Sequence, residues 1–165
     1  MGETGAYPEG VRRLVILGRG AAGKSTLALA LGQRTGLPVV ELDKHFWRSG
    51  LVATPPEEWA AVQRELVPRP HWIMDGDLGP YDALAIRLGG ADTVVLLDYS
   101  LPRCAWRVVR RSRERADFWR WVITYRWRSR PALLAAIGAH APRAAVYIVR
   151  SPRALDRLLR TDALS

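Results

Sequence analysis

The sequence predicts an α/β fold, a three-layer sandwich in which a five-stranded parallel sheet carries helices on both faces. Five short apolar segments of strand length alternate with segments of helical spacing, and this alternation is typical of parallel sheets with crossover helices. Four of the five segments are followed by Gly18 or end in an aspartate, at the edge of the sheet where such folds bind ligands. The predicted strands cover residues 14–17, 39–43, 72–75, 93–98 and 145–149.

Segments with helical signals fill the intervals between these strands. Residues 24–35 carry leucine and alanine at helical spacing, and Gly36 supplies a residue that is typical of helix C-termini. Prolines and acids open the next helix, which is expected to run from Pro55 to about Leu66. The remaining helices are predicted from Ser100 onward, through 118–125, over 131–137 and over 152–159.

The 165 residues are enough for one domain and too few for two substantial cores. Residues 1–10 are rich in glycine, proline and glutamate and are expected to be disordered, which leaves 11–165 as a single domain. The single cysteine, Cys104, excludes an intrachain disulfide and favours a reducing cytoplasm. No apolar segment approaches the ~20 residues that a membrane helix needs, so no membrane partner is expected. The chain is expected to be a monomer or a homodimer.

The positive charge is concentrated in one segment. The formal net charge is +9, and residues 101–130 contribute ten arginines against Glu114 and Asp117. An arginine-rich genome explains a high isoelectric point in general, whereas a local excess of arginine also suits phosphate-rich ligands or nucleic acid. Nucleic acid is therefore an alternative partner, although the aromatic residues between these arginines are more typical of a core stripe.

A phosphate-binding pattern, G-x-x-x-x-G-K-[ST], follows the first predicted strand and opens the first predicted helix. Its glycines let backbone N–H groups turn toward phosphate oxygens, and the helix directs its positive end at the same place. In this pattern the lysine reaches the β- and γ-phosphates and the hydroxyl residue ligates magnesium. The sequence therefore predicts a nucleoside triphosphate with Mg²⁺, bound by Gly18, Gly20, Ala21, Ala22, Gly23, Lys24, Ser25 and Thr26.

The spacing after this motif restricts the kind of nucleotide-binding protein. Fewer than about twenty residues separate Lys24 from the end of the second predicted strand, which leaves no room for the insertions of motor or GTPase folds. The Asn-Lys-x-Asp pattern that reads guanine is absent from the sequence. The chain therefore has the compact layout of a small-molecule kinase. A nucleotide-gated nucleic-acid-binding protein and a weak ATPase are alternatives that would use the basic 101–130 segment.

With these elements, the sequence resembles the adenylate-kinase-like P-loop kinases, and within them the small bacterial subgroup known as DNA topology modulation proteins. The resemblance covers most of residues 12–160, and its more specific parts are Asp-x-x-x-Trp at 43–47 and Trp-Ile-x-Asp-Gly at 72–76. It implies a fold of the nucleoside monophosphate kinase type. The implied activity is transfer of the γ-phosphoryl group of Mg-ATP to a nucleoside, a nucleoside monophosphate or a similar small acceptor.

The resemblance also implies roles for individual residues. Lys24 would act on the phosphates as a catalytic residue, and Ser25 and Asp75 would hold the magnesium ion. Asp43 would accept the proton of an acceptor hydroxyl. Arg153 lies where this class packs the adenine base. On the acceptor side, the implied substrate-binding residues are Asp43, Arg48, Asp77 and Arg87.

Two departures from the pattern affect the expected chemistry. Asp77 stands where the subgroup usually has asparagine, and a negative charge there disfavours an anionic acceptor. The lid segment, placed within about 107–118, is short, which favours water access and weak turnover. Arg107 and Arg111 fall on the basic stripe of this segment and are predicted catalytic arginines that neutralise the transferring phosphoryl group.

Two questions about the site stay open at the level of the sequence. Asp98 also ends an apolar strand and competes with Asp75, the preferred residue, as the magnesium acid. Asp43 favours a hydroxyl acceptor, whereas Arg48 and Arg87 favour an acceptor that carries a phosphate. The residues alone support neither class of acceptor over the other.

Overall fold

The computed structural model describes residues 10–50, 52–76, 82–111 and 123–164. In chain order, its strands are β1 (Arg13–Gly18), β2 (Val39–Glu41), β3 (Trp47–Arg48), β4 (Val52–Ala53), β5 (Trp72–Asp75), β6 (Thr93–Leu97) and β7 (Ala145–Val149). Five of them form one sheet in the order β2-β5-β1-β6-β7, and every neighbouring pair is parallel. The strands β3 and β4 form a separate antiparallel hairpin. The predicted five-stranded parallel sheet is thus confirmed.

Helices occupy the connections between the strands. In chain order, they are α1 (Lys24–Thr35), α2 (Leu42–Phe46), α3 (Pro56–Leu66), α4 (Leu84–Gly90), α5 (Leu101–Arg111), α6 (Ser129–His140) and α7 (Pro152–Arg160). A 3₁₀ turn at Asp162–Leu164 follows the last of them. The predicted end of α1 is confirmed, because the Gly36 N–H donates to the Gly32 carbonyl at 2.9 Å in a left-handed helix cap.

Side chains of β1 alternate between the two faces of the sheet. Leu14 and Ile16 pack with α1 and α7, whereas Val15 and Leu17 pack with α3, α4 and α6. All four side chains are buried, and each contributes about 1.5–3 kcal/mol by leaving water. Helices therefore cover both faces, and the three-layer sandwich that the sequence predicts is confirmed.

The carboxyl ends of β2, β5 and β1 lie side by side. Asp75 pairs in register with Ile16 on one side and with Glu41 on the other. Gly18 pairs with Leu97 across the opposite side of β1. Because the strands are parallel, the segments that follow them leave the sheet at a single edge, here called the carboxyl edge. The predicted functional residues therefore start from neighbouring strand ends.

The second strand is shorter than the sequence predicts. It ends at Glu41, and Leu42 begins α2, so the prediction that Asp43 lies on a strand is wrong. The helix places Leu42 and Phe46, four residues apart, in the core, while Asp43 is exposed. Burial of this apolar pair outweighs the strand pattern of the preceding residues.

Two further elements differ from the sequence prediction. The helix predicted from Pro131 begins at Ser129, because proline is tolerated in the first turn, where N–H groups have no intrahelical partner. No sequence signal marks the hairpin β3–β4, since two residues per strand carry no periodicity. The helix expected over 118–125 lies mostly outside the described residues.

Other predictions are not tested by the described residues. The disordered terminus expected over 1–10 lies outside them apart from Gly10, and most of the lid expected within 107–118 lies outside as well. In the ranges that the structure describes, no helix is long and apolar enough to cross a membrane.

Candidate active site

The loop between β1 and α1 turns sharply at the carboxyl edge. Its backbone has positive φ at Gly18 (142°), Ala21 (60°) and Gly23 (96°). A side chain at position 18 would also collide with the Leu97 carbonyl, so space and backbone angle both require glycine there. Ala21 adopts the left-handed conformation despite its methyl group, which costs about 1 kcal/mol. The predicted phosphate-binding residues therefore form a tight, conformationally specified loop.

Lys24 and the hydroxyl residues after it open α1 at this loop. The Lys24 ammonium donates to the Gly18 carbonyl at 2.9 Å and to the Arg19 carbonyl at 3.3 Å, so it lies over the loop. Ser25 and Thr26 are exposed in the first turn of α1, and that turn contains no acidic residue. The positive end of the helix dipole and the lysine together favour binding of an anion.

Asp75 brings a buried carboxyl group to the loop from the end of β5. The side chain of Ser25 hydrogen-bonds to this carboxyl group. Burial raises the pKa of Asp75, whereas the hydrogen bond from Ser25 and the charge of Lys24 oppose the rise. The charge of Glu41 raises this pKa further, and that of Arg87 lowers it. The β5 carboxyl group, the first turn of α1 and the P-loop lysine are thus close enough to interact.

The oxygen atoms at this point fit a magnesium ion. Asp75 Oδ1 is buried and has no hydrogen-bond partner in the part of the chain that the structure describes. A buried oxygen in this state is costly unless a ligand or water satisfies it. Magnesium prefers oxygen ligands and commonly takes only one or two of them from the protein. Asp75 Oδ1 and the Ser25 hydroxyl supply such a set.

Asp98, the competing magnesium acid, is held by an arginine. Arg130 Nε on α6 donates to Asp98 Oδ2 at 2.8 Å, and the Asp98 side chain is only 14% exposed. The Asp98 N–H also donates to the Val149 carbonyl at 2.9 Å. This carboxylate therefore has a structural partner of opposite charge, whereas Asp75 Oδ1 has no hydrogen-bond partner among the residues that the structure describes.

Two of the four residues predicted for the acceptor lie beyond β2, on α2 and β3. Asp43 and Arg48 both have exposed side chains. Arg48 forms an ion pair with Glu58 of α3, in which each side chain is about half exposed. On α2, Lys44 pairs with Glu41 at 2.7 Å. The permanent cations of these two elements thus already meet carboxylates of the same chain.

Arg87 on α4 lies in the interior. Its two terminal nitrogens donate to the two carboxylate oxygens of Asp82, at 2.5 and 2.6 Å, and both side chains are almost fully buried. Arg87 Nη2 also donates to the Gly76 carbonyl at 2.8 Å, directly after Asp75. Gln63 Nε2 donates to the same Asp82 at 3.2 Å. The residue predicted to bind substrate therefore has an internal counter-ion and contacts the backbone of the carboxyl edge.

A cavity of about 530 Å³ adjoins the loop on the face of the sheet covered by α1 and α7. Its lining includes Ala21, Gly23, Tyr99, Trp106, Pro152 and Leu155. Trp106 on α5 is 65% exposed, so its ring can be reached by a ligand. An apolar cavity of this size beside a phosphate-binding loop suits the base of a nucleotide. Arg153, predicted to lie near that base, is exposed at the start of α7, next to Pro152.

Arg19 is a loop residue that the sequence prediction does not include as a site residue. Its side chain is buried, and its Nε has no hydrogen-bond partner among the described residues. The guanidinium lies 5.0 Å from the centroid of the Tyr125 ring, and Nη1 donates to the Tyr99 carbonyl at 3.4 Å. This contact links the loop to the segment that precedes α6. A charged residue at a variable position of the motif is the signal that could have identified it.

The structure brings the loop residues Gly18 to Thr26 together with Asp75, and it places Asp43 and Arg48 on the elements after the neighbouring strand. Asp77 lies outside the described residues, as do the side chains of Arg107 and Arg111, whose backbone belongs to α5.

The sequence matches no protein-family model, and no curated protein matches it. Solved structures do match the fold. An unliganded sugar kinase from Janibacter sp. HTCC2649 is 19% identical, and the match covers 90% of this chain and 92% of that chain with a TM-score of 0.54. Shikimate kinase from Acinetobacter baumannii, in complex with shikimate, is 17% identical over 91% of this chain and 90% of its own, with a TM-score of 0.58.

A third structure extends the comparison to a nucleotide complex. The YorR protein from Bacillus subtilis, in complex with phosphorylated GDP, is 15% identical over 88% of this chain and 93% of its own, with a TM-score of 0.58. At these identities the likeness shows the fold, which is that of P-loop kinases of the nucleoside monophosphate kinase type. The DNA topology modulation subgroup is not confirmed by these matches and stays a prediction.

Proposed function

We propose that the chain is an ATP-dependent phosphotransferase that moves the γ-phosphoryl group of Mg-ATP to a small-molecule acceptor. The observation that carries this proposal is the hydrogen bond between Ser25 and the buried Asp75, a carboxyl group whose pKa the charge of the loop lysine also lowers. A phosphate-binding loop alone is compatible with many activities. The fold shared with a sugar kinase and shikimate kinases supports a kinase among them.

The phosphates of ATP would lie in the loop. Backbone N–H groups of residues 18–23 and the positive end of α1 would receive the phosphate oxygens, and Lys24 would neutralise the β- and γ-phosphates. Ser25 and Asp75 would hold the magnesium ion, which when bound supplies positive charge to the phosphates and orients them. The base would enter the cavity between Trp106 and Pro152, and Arg153 follows Pro152 in the first turn of α7.

The transfer step can be written with all atoms accounted for. The acceptor hydroxyl oxygen forms a bond to the γ-phosphorus, the bond from that phosphorus to the β,γ-bridging oxygen breaks, and ADP leaves with the electron pair. Asp43, exposed beside the end of β2, is assigned as the group that takes the hydroxyl proton. Arg107 and Arg111 are assigned to neutralise charge on the transferring group.

A turnover assay with a loop variant tests this proposal. ADP formation is measured with Mg-ATP alone and then with nucleosides, nucleoside monophosphates and small alcohols. One acceptor class is expected to stimulate ADP formation, and Lys24→Ala is expected to reduce the stimulated rate at least about 100-fold. Full activity in Lys24→Ala would contradict the proposal. ADP formation that no acceptor stimulates would instead identify a weak ATPase.

The concentration of arginine in residues 101–130 favours one alternative, a nucleotide-gated protein that binds nucleic acid. In that segment, Trp127 is 72% exposed, as a base-stacking residue would need to be. Binding of this kind falls steeply with salt. Absence of DNA binding at low salt would remove the alternative.

The resemblance to the DNA topology modulation subgroup supports the same chemistry without specifying an acceptor. An activity that depends on ATP and magnesium is consistent with the cytoplasmic location that the single cysteine favours.

A further inference from the structure

On the acceptor side of the proposed site we place α2, β3 and α4, which follow the ends of β2 and β5. Every lysine and arginine of α2, β3 and α4 has a carboxylate partner within the chain. The three pairs are Lys44 with Glu41, Arg48 with Glu58, and Arg87 with Asp82. Side chains that recognise a phosphate or carboxylate group are typically cations whose charge is available to the ligand.

Of the three ion pairs, Arg87–Asp82 is expected to disfavour an anionic acceptor most strongly. It is bidentate, and the two side chains are 0% and 3% exposed. Removing Arg87 from Asp82 to meet an incoming anion would leave a buried carboxylate without its counter-ion, which is strongly unfavourable. The same guanidinium also holds the Gly76 carbonyl at 2.8 Å, so its movement would disturb the backbone next to Asp75.

The Arg48–Glu58 pair also disfavours an anionic acceptor, but its effect is expected to be smaller. Its side chains are 46% and 55% exposed, and exposed pairs of this kind are weak. Asp43 adds another acidic side chain to α2, and the charge of Glu41 is close enough to raise the pKa of Asp75. Within α2, β3 and α4, the lysine and arginine charges are thus paired with carboxylates, and Asp43 adds a negative charge.

We infer that the acceptor is a hydroxyl compound without a phosphate or carboxylate group, either neutral or carrying an amine. This inference rests on the proposed phosphotransferase activity and restricts its substrate class. Carboxylates accept hydrogen bonds from hydroxyl and ammonium groups and repel anions, so elements whose cations are paired and which carry the additional acid Asp43 favour such compounds. Asp82 and Glu58 act as specificity-determining residues because they occupy the two arginines.

Matched pairs of acceptors test the inference. ADP formation is measured for adenosine against AMP, and for a sugar against the corresponding sugar acid, at saturating Mg-ATP. The uncharged member is expected to have a kcat/KM at least about tenfold higher than the anionic member. A preference for the anionic member would overturn the inference and leave the proposed activity standing. ATP binding without acceptor-stimulated transfer would instead overturn the proposed activity, and the inference with it.

Two variants test whether the ion pairs set this preference. Glu58→Gln is expected to lower the selectivity for the uncharged acceptor about threefold, by releasing Arg48 at the surface. Glu57→Gln is the matched control, because it removes the same charge from an exposed neighbour in the first turn of α3. Equal selectivity in the two glutamine variants would show that the surface pair has no role.

Asp82→Asn is expected to have the larger effect, about a tenfold loss of selectivity, because Arg87 then lacks its counter-ion. It is also expected to lower the thermal midpoint, and AMP added with saturating ADP should restore part of that loss by binding to Arg87. Unchanged selectivity in folded Asp82→Asn would overturn the assignment. If Asp82→Asn does not fold, the comparison of uncharged with anionic acceptors and the Glu58→Gln variant still test the inference about the acceptor class.

Discussion

At the scale of single residues, Asp75 combines a proposed functional role with a cost in stability. Its carboxyl group is buried, and burial is the main reason that its pKa is raised from 3.8. A carboxyl group with a higher pKa in the folded chain contributes stability below its unfolded pKa, and this contribution is lost as the pH rises through the folded pKa. Ionised Asp75 therefore lowers the free energy of unfolding at neutral pH.

Replacing this carboxyl group by an amide should separate stability from activity. Asp75→Asn is expected to raise the thermal midpoint at pH 8, and the gain should shrink at pH 5, where wild-type Asp75 binds its proton more readily. Calorimetry without nucleotide measures the midpoint. Acceptor-stimulated turnover should fall at least about 100-fold, because the proposed magnesium site loses its carboxylate.

A matched control for this variant is Asp156→Asn, which changes an exposed aspartate on α7. It should leave both the midpoint and the turnover near those of the wild type. A gain in Asp75→Asn that is the same at pH 5 and pH 8 would show that burial of the charge is not its cause.

At the scale of elements, α5 and α7 form the two sides of the cavity beside the loop. Trp106 comes from α5, and Pro152 and Leu155 come from α7. The Ser151 side chain caps α7 by accepting the Ala154 N–H at 3.2 Å, which fixes where that helix begins. The position of the base in the proposed complex therefore depends on how two helices that are distant in sequence are placed.

Trp106 is expected to contribute to binding of the nucleotide base and not to binding of the phosphates. Trp106→Ala is expected to weaken Mg-ATP binding about tenfold, the size of one lost stacking contact. Binding of inorganic tripolyphosphate should not change, because that ligand has no base. Titration calorimetry measures both affinities, and Trp127→Ala is a control that changes an exposed tryptophan outside the cavity lining. An equal loss for tripolyphosphate would contradict the assignment.

The predictability of these elements depends on how local their signals are. The phosphate-binding loop could be predicted because glycine, lysine and serine act within eight consecutive residues, and the strands because each is a continuous apolar run. Asp43 was assigned to the wrong element because burial of Phe46, not local pattern, decides that α2 is a helix. The burial of Arg87 depends on Gly76 and Gln63, which no spacing rule links to it.

At the scale of the whole molecule, the sheet separates the edge of the proposed site from an edge that serves stability. At the amino ends of the strands, Asp92 Oδ2 accepts the backbone N–H groups of Arg12 and Arg13 at 3.1 and 2.8 Å. The Asp92 carbonyl accepts the Ala145 N–H at 2.8 Å. One residue thus joins the starts of β1, β6 and β7, at the end of the sheet opposite the loop.

Removal of the Asp92 side chain should destabilise the fold without changing the affinity for the nucleotide. Asp92→Ala is expected to lower the free energy of unfolding by about 1 kcal/mol, because the part-buried Arg13 N–H and the exposed Arg12 N–H lose their acceptor. Denaturant unfolding measures this change, with Asp156→Ala as the exposed control. The affinity for Mg-ATP should stay the same in the folded variant, and a parallel loss of affinity would show that the two edges are coupled.

The ion pair between Arg87 and Asp82 also has an evolutionary consequence. Loss of Asp82 alone leaves a buried cation without a counter-ion, and loss of Arg87 alone leaves a buried anion. Either single substitution therefore destabilises the fold before any gain in function. The two positions are therefore epistatic, and homologous chains should carry either both residues or neither. A lineage that acquires an anionic acceptor is expected to pass through Gly, Asn or Ser at position 82 only after a compensating change nearby.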